Sequence, residues 1–121
     1  MSSTLRIAVS EEKGDTPITV LQLTGDLDGK TYLELETKAN EVIGAGASNL
    51  LLDLSGVGFM GSAGLRALHA ISNRIKTAGP NGAGQMKLLK PSDAVSRVMK
   101  TLGFDQHFSI HDDMDAALKS F

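Results

Sequence analysis

The sequence contains no cysteine, and its only histidines are His69, His107 and His111. The absence of thiols excludes disulfide bonds and zinc sites that are built on thiolates. The three histidines also lack the compact spacing that metal ligands usually show along a sequence. We therefore expect no metal site in this protein.

An excess of charge of one sign and a long apolar run are missing as well. The 12 basic residues nearly balance the 14 acidic ones, and no basic cluster is longer than a pair. This composition lacks the electrostatic signature of nucleic-acid binding, so we expect no nucleic-acid partner. No apolar run approaches the ~20 residues that cross a bilayer, and the N-terminal sequence does not resemble a signal peptide. No membrane insertion and a cytoplasmic location are expected.

The chain is organised around one central stretch, residues 50–71. Its leucine-rich run 50–54 is apolar on both faces of a period-2 chain, which predicts a central strand that is buried on both sides. Four glycines between positions 56 and 64 predict a loop with positive φ or close approach of another chain segment. Apolar residues from Leu65 onward recur at helical spacing, and Ser62 is placed to cap this helix. In open α/β sheets, functional residues are found where a strand ends and the following helix begins.

Hydrophobic periodicity and turn residues predict the remaining elements of a single domain over residues 1–121. The predicted strands cover residues 5–10, 18–24, 50–54, 86–90 and 108–110. The predicted helices cover residues 32–43, 62–78, 92–103 and 112–121, with Ser92 and Asp112 as caps. Turns are expected over residues 11–17 and 25–29, and a mobile loop over residues 77–84. Because strands and helices alternate after an initial hairpin, an α/β fold with a largely parallel sheet follows.

Three enzymatic interpretations of the central stretch can be weighed on spacing. The glycines at 56, 58 and 61 form a GxGxxG motif, but no second strand ends in the acid that would hold a ribose. A nucleophile elbow needs glycine two residues before its serine, and Met60 stands there instead. His69 lies about two helical turns from Ser62 and cannot act as its base. No lysine follows the glycines as a P-loop requires, so we expect no cofactor.

Several candidate residues also have purely structural interpretations. Ser62 could simply cap a helix, a role that stabilises by ~1 kcal/mol. Asp26 and Asp28 could be turn residues or a cap, and Arg66 could be a surface charge or a partner for an anion. Phe59 and Met60 could be core residues or exposed contacts, and the sequence does not separate these possibilities.

The chain resembles a STAS domain, specifically the bacterial anti-sigma factor antagonists. The resemblance is carried by GDLD at 25–28, LLLDLSGVGFMGSAGLRALHAI at 50–71 and LLKPSDAVSRVMKTLGFDQHFSIHDDMDAAL at 88–118. The most specific parts are the Phe-Met-x-Ser-x-Gly-Leu block that begins at Phe59 and the Leu-Gly-Phe-then-Phe block near Gly103. The resemblance implies a STAS fold with a mixed, mostly parallel sheet of about five strands and about four helices.

The resemblance also implies a function that is regulatory rather than enzymatic. An unphosphorylated antagonist of this family binds a serine-kinase anti-sigma factor and frees a sigma factor, and phosphorylation of a serine breaks the complex. Ser62 matches that serine, and a phosphatase acting on phospho-Ser62 would reset the switch. Asp28 matches the family's loop acid beside the binding surface. With the residues around Ser62 that would let a partner approach closely, the predicted partner-binding residues are Asp26, Asp28, Met60, Gly61, Ala63, Gly64, Leu65 and Arg66.

The chain departs from the family pattern beside the serine. Gly61 stands where many members carry an acid, and Ala63 stands where they often carry a second serine. Two other functions remain open at this point. One is a STAS interaction module in another signalling assembly or in lipid transport, and the other is a nucleotide-binding protein.

Overall fold

The computed structural model describes residues 5–14, 16–78 and 84–121. Across these described residues, five strands and four helices alternate after an initial hairpin, in agreement with the predicted fold class. In chain order the elements are β1 (Leu5–Lys13), β2 (Pro17–Leu27), α1 (Tyr32–Gly44), β3 (Asn49–Met60), α2 (Ser62–Ile75), β4 (Gln85–Leu89), α3 (Asp93–Thr101), a 3-10 turn (Phe104–Gln106), β5 (Ser109–His111) and α4 (Met114–Lys119).

The strands form one mixed sheet in the order β1-β2-β3-β4-β5. β1 and β2 pair antiparallel as a hairpin, whereas β2, β3, β4 and β5 run parallel to one another. Parallel neighbours need crossover connections, which α1, α2 and α3 supply. The prediction of a mostly parallel mixed sheet is therefore confirmed.

The central strand β3 is buried on both faces, as its leucine-rich sequence predicts. Leu50, Leu52 and Leu54 join a core cluster that includes buried residues of α1, α2 and α3. Leu51 points to the opposite face, where it belongs to a second cluster with Ala117 of α4. Each fully buried side chain of this kind stabilises the fold by about 1.5–3 kcal/mol.

Three strands extend beyond the predicted boundaries. β3 continues to Met60, so residues 55–60 lie in a strand and not in the predicted loop. β2 likewise continues to Leu27, and β1 to Lys13. The extension holds because β2 and β3 remain paired over this length, with register shifts near Thr24 and Asp26. The prediction of close approach is confirmed at Gly56, where a methyl group would lie 2.7 Å from the carbonyl oxygen of Leu23.

The helix ends differ from their predicted positions by a few residues. α2 ends at Ile75 and not at 78, and residues 79–83 of the predicted mobile loop lie outside the described residues. Ser92 caps α3 as predicted, since its hydroxyl accepts a hydrogen bond from the amide of Val95 at 3.3 Å. The cap of α4 is Asp113 rather than Asp112, because the Asp113 carboxylate accepts from the amide of Ala116.

Among the helices of the described residues, none has the length and apolarity required to cross a membrane.

Candidate functional site

The candidate site lies where the parallel strands β2 and β3 end at the same edge of the sheet. Leu27 and Met60 are register partners at these ends, and the amide of Gly61 donates to the carbonyl oxygen of Leu27 at 2.9 Å. This hydrogen bond ties the start of α2 to the end of β2. It brings the β2–α1 loop, which carries Asp28, beside the backbone that leads into Ser62.

Ser62 is the first residue of α2 and is exposed. The predicted capping role is wrong, because Gly61 occupies the cap position and its carbonyl accepts from the amide of Leu65 at 3.1 Å. Within the part of the chain that the structure describes, the Ser62 hydroxyl makes no hydrogen bond. The first amides of a helix lack intrahelical acceptors and favour a nearby anion. The hydroxyl is therefore available for modification at the positive end of α2.

The β2–α1 loop is held by a hydrogen-bond network centred on Thr31, a buried residue. The Thr31 hydroxyl donates to the carbonyl oxygen of Asp26 at 2.8 Å and accepts from the amide of Asp28 at 3.0 Å. The carboxylate of Asp28 accepts from the amide of Lys30 at 2.9 Å and lies 3.3 Å from the Thr31 hydroxyl. Asp28 is thus a turn residue that fixes the loop, while Asp26 is exposed beside it.

Thr31 was not among the predicted site residues, although the structure makes it the organiser of the loop. The signal that could have identified it is a hydroxyl residue three positions after an acid in a turn. Such spacing lets the two side chains satisfy the backbone groups of a tight turn. The position of Asp28, the predicted loop acid, therefore depends on Thr31, which the sequence pattern did not identify.

Replacing Thr31 by valine is expected to destabilise the protein by about 1–2 kcal/mol. Valine has nearly the same shape, but it leaves the carbonyl oxygen of Asp26 and the amide of Asp28 without their buried partner. Urea unfolding of Thr31→Val measures the effect, and faster hydrogen exchange at the Asp28 amide should accompany it. Thr37→Val, at an exposed position of α1, is the matched control and should unfold as the unmodified protein does. Equal stability of the two variants would contradict the role of Thr31.

The partner-binding residues predicted around Ser62 divide into exposed and buried groups. Gly61 and Ala63 are partly exposed, and Arg66, one turn after Ser62, is exposed. Met60 and Leu65 are instead buried to 2% and 1% exposure in the main core cluster, and Gly64 is buried with them. These three residues do not lie on the surface, so the prediction that they contact a partner needs correction. Met60, Gly64 and Leu65 lie in the core beneath the exposed residues around Ser62.

Phe59 is exposed, whereas the sequence alone left open whether it is a core residue or a surface contact. Its side chain is 54% exposed, and its backbone is the register partner of Asp26. A methyl group placed on Gly61 would lie 3.4 Å from the Phe59 ring and 3.9 Å from the Cα of Asp28. An exposed aromatic ring, the loop acid and the helix start are therefore adjacent.

A model of the STAS domain family matches residues 9–117 of the chain. The chain belongs to the STAS domain family. RsfB of Mycobacterium tuberculosis strain H37Rv, named an anti-sigma-F factor antagonist, is 28% identical over 114 residues, which cover 94% of this chain and 87% of RsfB.

Solved structures agree with this STAS assignment. An anti-sigma factor antagonist from Mycobacterium paratuberculosis is 27% identical, with a TM-score of 0.77 over 95% of this chain and 93% of that one. SpoIIAA in its unphosphorylated form shares the fold at 21% identity, with a TM-score of 0.74 over 93% of this chain and 95% of that one. The phosphorylated form of SpoIIAA, from Bacillus, is also similar, with a TM-score of 0.66 at 20% identity over 93% of this chain and 98% of that one.

The GxGxxG motif of this STAS domain does not form a phosphate-binding loop. Gly56 and Gly58 lie inside β3, where Gly56 is the register partner of Thr24 on β2, and of the three motif glycines only Gly61 stands at the junction with α2. The dinucleotide motif requires its glycines in the turn between strand and helix, where their amides face the phosphates. The geometry therefore gives no support to the alternative of nucleotide binding through these glycines.

An apolar groove of about 420 Å³ runs along the exposed face of α2, beginning at Arg66. His69 lies in this groove, with its ring centroid 6.3 Å from Phe104 and 6.2 Å from His107. Leu102 completes its apolar part and is 53% exposed. The exposed surface of this STAS domain therefore continues from Ser62 down α2.

Proposed function

We propose that this STAS domain is an anti-sigma factor antagonist that works by phosphorylation-controlled binding and not by catalysis. The observation that carries the proposal is the exposed Ser62 hydroxyl, free of hydrogen bonds within the described residues, on the first turn of α2. Relatives that cover most of the chain bear the name anti-sigma factor antagonist. A protein of the same fold, SpoIIAA, exists in an unphosphorylated and a phosphorylated form.

The physical chemistry of Ser62 suits a switch. A phosphate there adds about −1.5 to −2 charges and three strong acceptor oxygens. Within the domain this charge is tolerated, because the first turn of α2 contains no acidic residue and its free amides favour an anion. Arg66 lies one turn further on the same exposed helix and can compensate part of the charge. We therefore expect the fold to survive phosphorylation.

The interface with a partner responds to the same charge in the opposite way. We propose that Phe59, Asp26, Asp28 and the small residues Gly61 and Ala63 form the contact surface, with Arg66 at its border. Small residues allow close approach of a partner, so a phosphate on Ser62 would be buried between the proteins without a counter-charge from the partner and with only part of its charge compensated by Arg66. An uncompensated buried charge costs several kcal/mol. About 5.5 kcal/mol moves a two-state balance from 99:1 to 1:99, which is enough for a switch.

The partners follow from this mechanism. We propose a serine-kinase anti-sigma factor that binds the unphosphorylated domain and phosphorylates Ser62, and a phosphatase that removes the phosphate. Release of the sigma factor is then the output, and the cytoplasm is the location. Of the two predicted loop acids, Asp28 is fixed by the Thr31 network and presents a preformed turn to the partner.

The proposal is tested by isolating the tagged protein from its own host and identifying what it retains. Co-purification of a kinase-like anti-sigma factor, lost after in vitro phosphorylation of Ser62 and restored by phosphatase, is the expected result. Peptide mapping of residues 50–71 before and after phosphatase locates the phosphate. Retention of a transporter subunit in place of the anti-sigma factor would instead support a STAS module of a lipid-transport assembly.

Replacing Phe59 by alanine is expected to weaken binding of the anti-sigma factor by about tenfold or more. An aromatic side chain at the centre of an interface typically contributes at least 1–2 kcal/mol, and each 1.4 kcal/mol is a factor of about 10. Leu33→Ala provides a matched control, because Leu33 is 58% exposed on α1 and lines a groove with Leu5 and Ile7 of β1. Isothermal titration calorimetry compares the variants. Equal affinities of Phe59→Ala and Leu33→Ala would remove Phe59 from the contact surface.

A further inference from the structure

β1 forms an open edge of the sheet. Among the described residues this nine-residue strand is hydrogen-bonded to β2 on one side, and the sheet order places no strand on its other side. Its residues from Ala8 to Lys13 are all exposed. An exposed strand edge presents backbone amides and carbonyls that can pair with another strand. The question is which strand fits the side chains of β1.

The sequence of β1 is complementary to itself in the antiparallel direction. If two copies pair around a twofold axis at Val9, Arg6 of each copy stands opposite Glu12 of the other. Symmetry produces this opposite-charge pair twice. Between the two pairs, Ala8 stands opposite Ser10, so small side chains separate the charged ones on that face. Directly opposed residues of unlike charge stabilise an antiparallel pair, whereas like charges destabilise it.

Arg6 and Glu12 have no charged partner among the residues that the structure describes. Both are exposed, and neither makes an ion pair in the described ranges. Their register partners on β2 are Thr24 and Ile18, which carry no charge. A dimer would therefore supply counter-charges that the described part of the single chain does not.

The position of the twofold axis at Val9 is favoured over the two adjacent positions because it alone sets Arg6 opposite an acidic residue. A twofold axis at Ala8 sets Arg6 opposite Ser10 of the other copy, and an axis at Ser10 sets Arg6 opposite Gly14. Both of these registers therefore lose the Arg6–Glu12 pairs. On the other face of the strand, the axis at Val9 brings the two Val9 side chains together. Val9 is 45% exposed and would bury part of its apolar surface there.

We propose that the β1 edge is the interface of a homodimer in which two copies pair antiparallel around Val9 and join their two five-stranded sheets into one continuous sheet. The β1 edge is separated from the Ser62 site by β2, because Ser62 follows β3. Dimerisation through β1 therefore does not depend on the proposed switch at Ser62, and each proposal can be tested separately. It would present two partner-binding surfaces on one particle.

Sedimentation velocity over a range of concentrations up to millimolar tests the dimer with charge-reversed variants. Arg6→Glu and Glu12→Arg are each expected to weaken self-association by about tenfold or more, because each converts two attractive pairs into repulsive ones. Mixing these two variants should restore a dimer, since one variant then carries glutamate at both positions of the pair and the other carries arginine at both. The double variant with both changes should dimerise like the unmodified protein. Arg97→Glu, an exposed charge on α3, is the control and should leave dimerisation unchanged.

The inference is overturned by any of three results. The unmodified protein could sediment as a monomer at every concentration, Arg6→Glu could dimerise as tightly as the unmodified protein, or the mixture of variants could remain monomeric. Thermal melting of each variant checks that the fold is intact, and no loss is expected because both side chains are exposed.

Discussion

Replacing Ser62 by aspartate is expected to abolish binding of the anti-sigma factor, whereas Ser62→Ala should bind as well as the unmodified protein. Aspartate places a carboxylate on the first turn of α2, where the proposed partner covers the surface. An unpaired charge that is buried in this way costs about 3–5 kcal/mol, which corresponds to a loss of affinity of roughly two to four orders of magnitude. Ser62→Ala removes only a hydroxyl that makes no hydrogen bond within the described residues. Titration calorimetry with the purified partner measures both affinities.

A matched control distinguishes the effect of a negative charge at position 62 from the effect of one added negative charge elsewhere on the surface. Asn40→Asp adds one negative charge with little change of shape at an exposed position of α1, and its affinity should remain within about twofold of the unmodified protein. Thermal melting should also show that Ser62→Asp is as stable as the unmodified protein or more stable by about 0.3–1 kcal/mol, because an anion is favourable at a helix N-terminus. If Ser62→Asp retained full affinity, the switch would be excluded.

The sequence was sufficient to predict the fold because its strongest signals are local or come from the family resemblance. The run Leu50–Leu54 contains enough apolar residues to require burial on both faces, and both core clusters receive side chains from it. The helical stripe of Leu65, Leu68, Ile71 and Ile75 is likewise buried at all four positions. Such patterns depend little on which other segment supplies the contact.

The end of β3 was not predictable in the same way because its geometry depends on pairing with β2. Leu54, Val57 and Met60 are buried at intervals of three residues, which breaks the strict alternation of a regular strand. The register shifts in β2–β3 pairing add residues on one strand and change which side chains face the core. Phe59 is exposed and Met60 buried for this reason. A single sequence does not reveal where a non-local register shift occurs.

The cap of α2 was mispredicted for a related reason. Local preference favours serine over glycine as a helix cap, but the cap position is set by the point at which β3 ends. Because Gly61 donates to the carbonyl oxygen of Leu27, the strand geometry persists to that residue and the helix starts at Ser62. This one-residue shift changes the functional interpretation, since a capping hydroxyl would be engaged with the backbone of its own helix.

Replacing Gly64 by alanine is expected to destabilise the protein by about 2–3 kcal/mol and to lower its melting temperature by roughly 5–15 °C. A methyl group at Gly64 would lie 2.7 Å from the carbonyl oxygen of Leu27, 2.8 Å from the Cγ of Leu27 and 3.1 Å from the Cγ of Met60. Alanine gains up to ~1 kcal/mol in helix propensity over glycine. The steric effect outweighs this gain, because a backbone oxygen in a paired strand cannot move without shifting β2 itself.

The comparison with Gly44→Ala makes this prediction specific. Gly44 is the last residue of α1, its φ is not positive, and a methyl group there would meet no atom within 4 Å. Gly44→Ala should therefore be neutral or slightly stabilising, and equal melting temperatures of the two variants would show that α2 does not need close contact with β2. Any shift of α2 away from Leu27 also separates Ser62 from the Asp28 loop. Gly64→Ala should for that reason weaken partner binding as well, at temperatures where the variant is still folded, although residue 64 itself is buried.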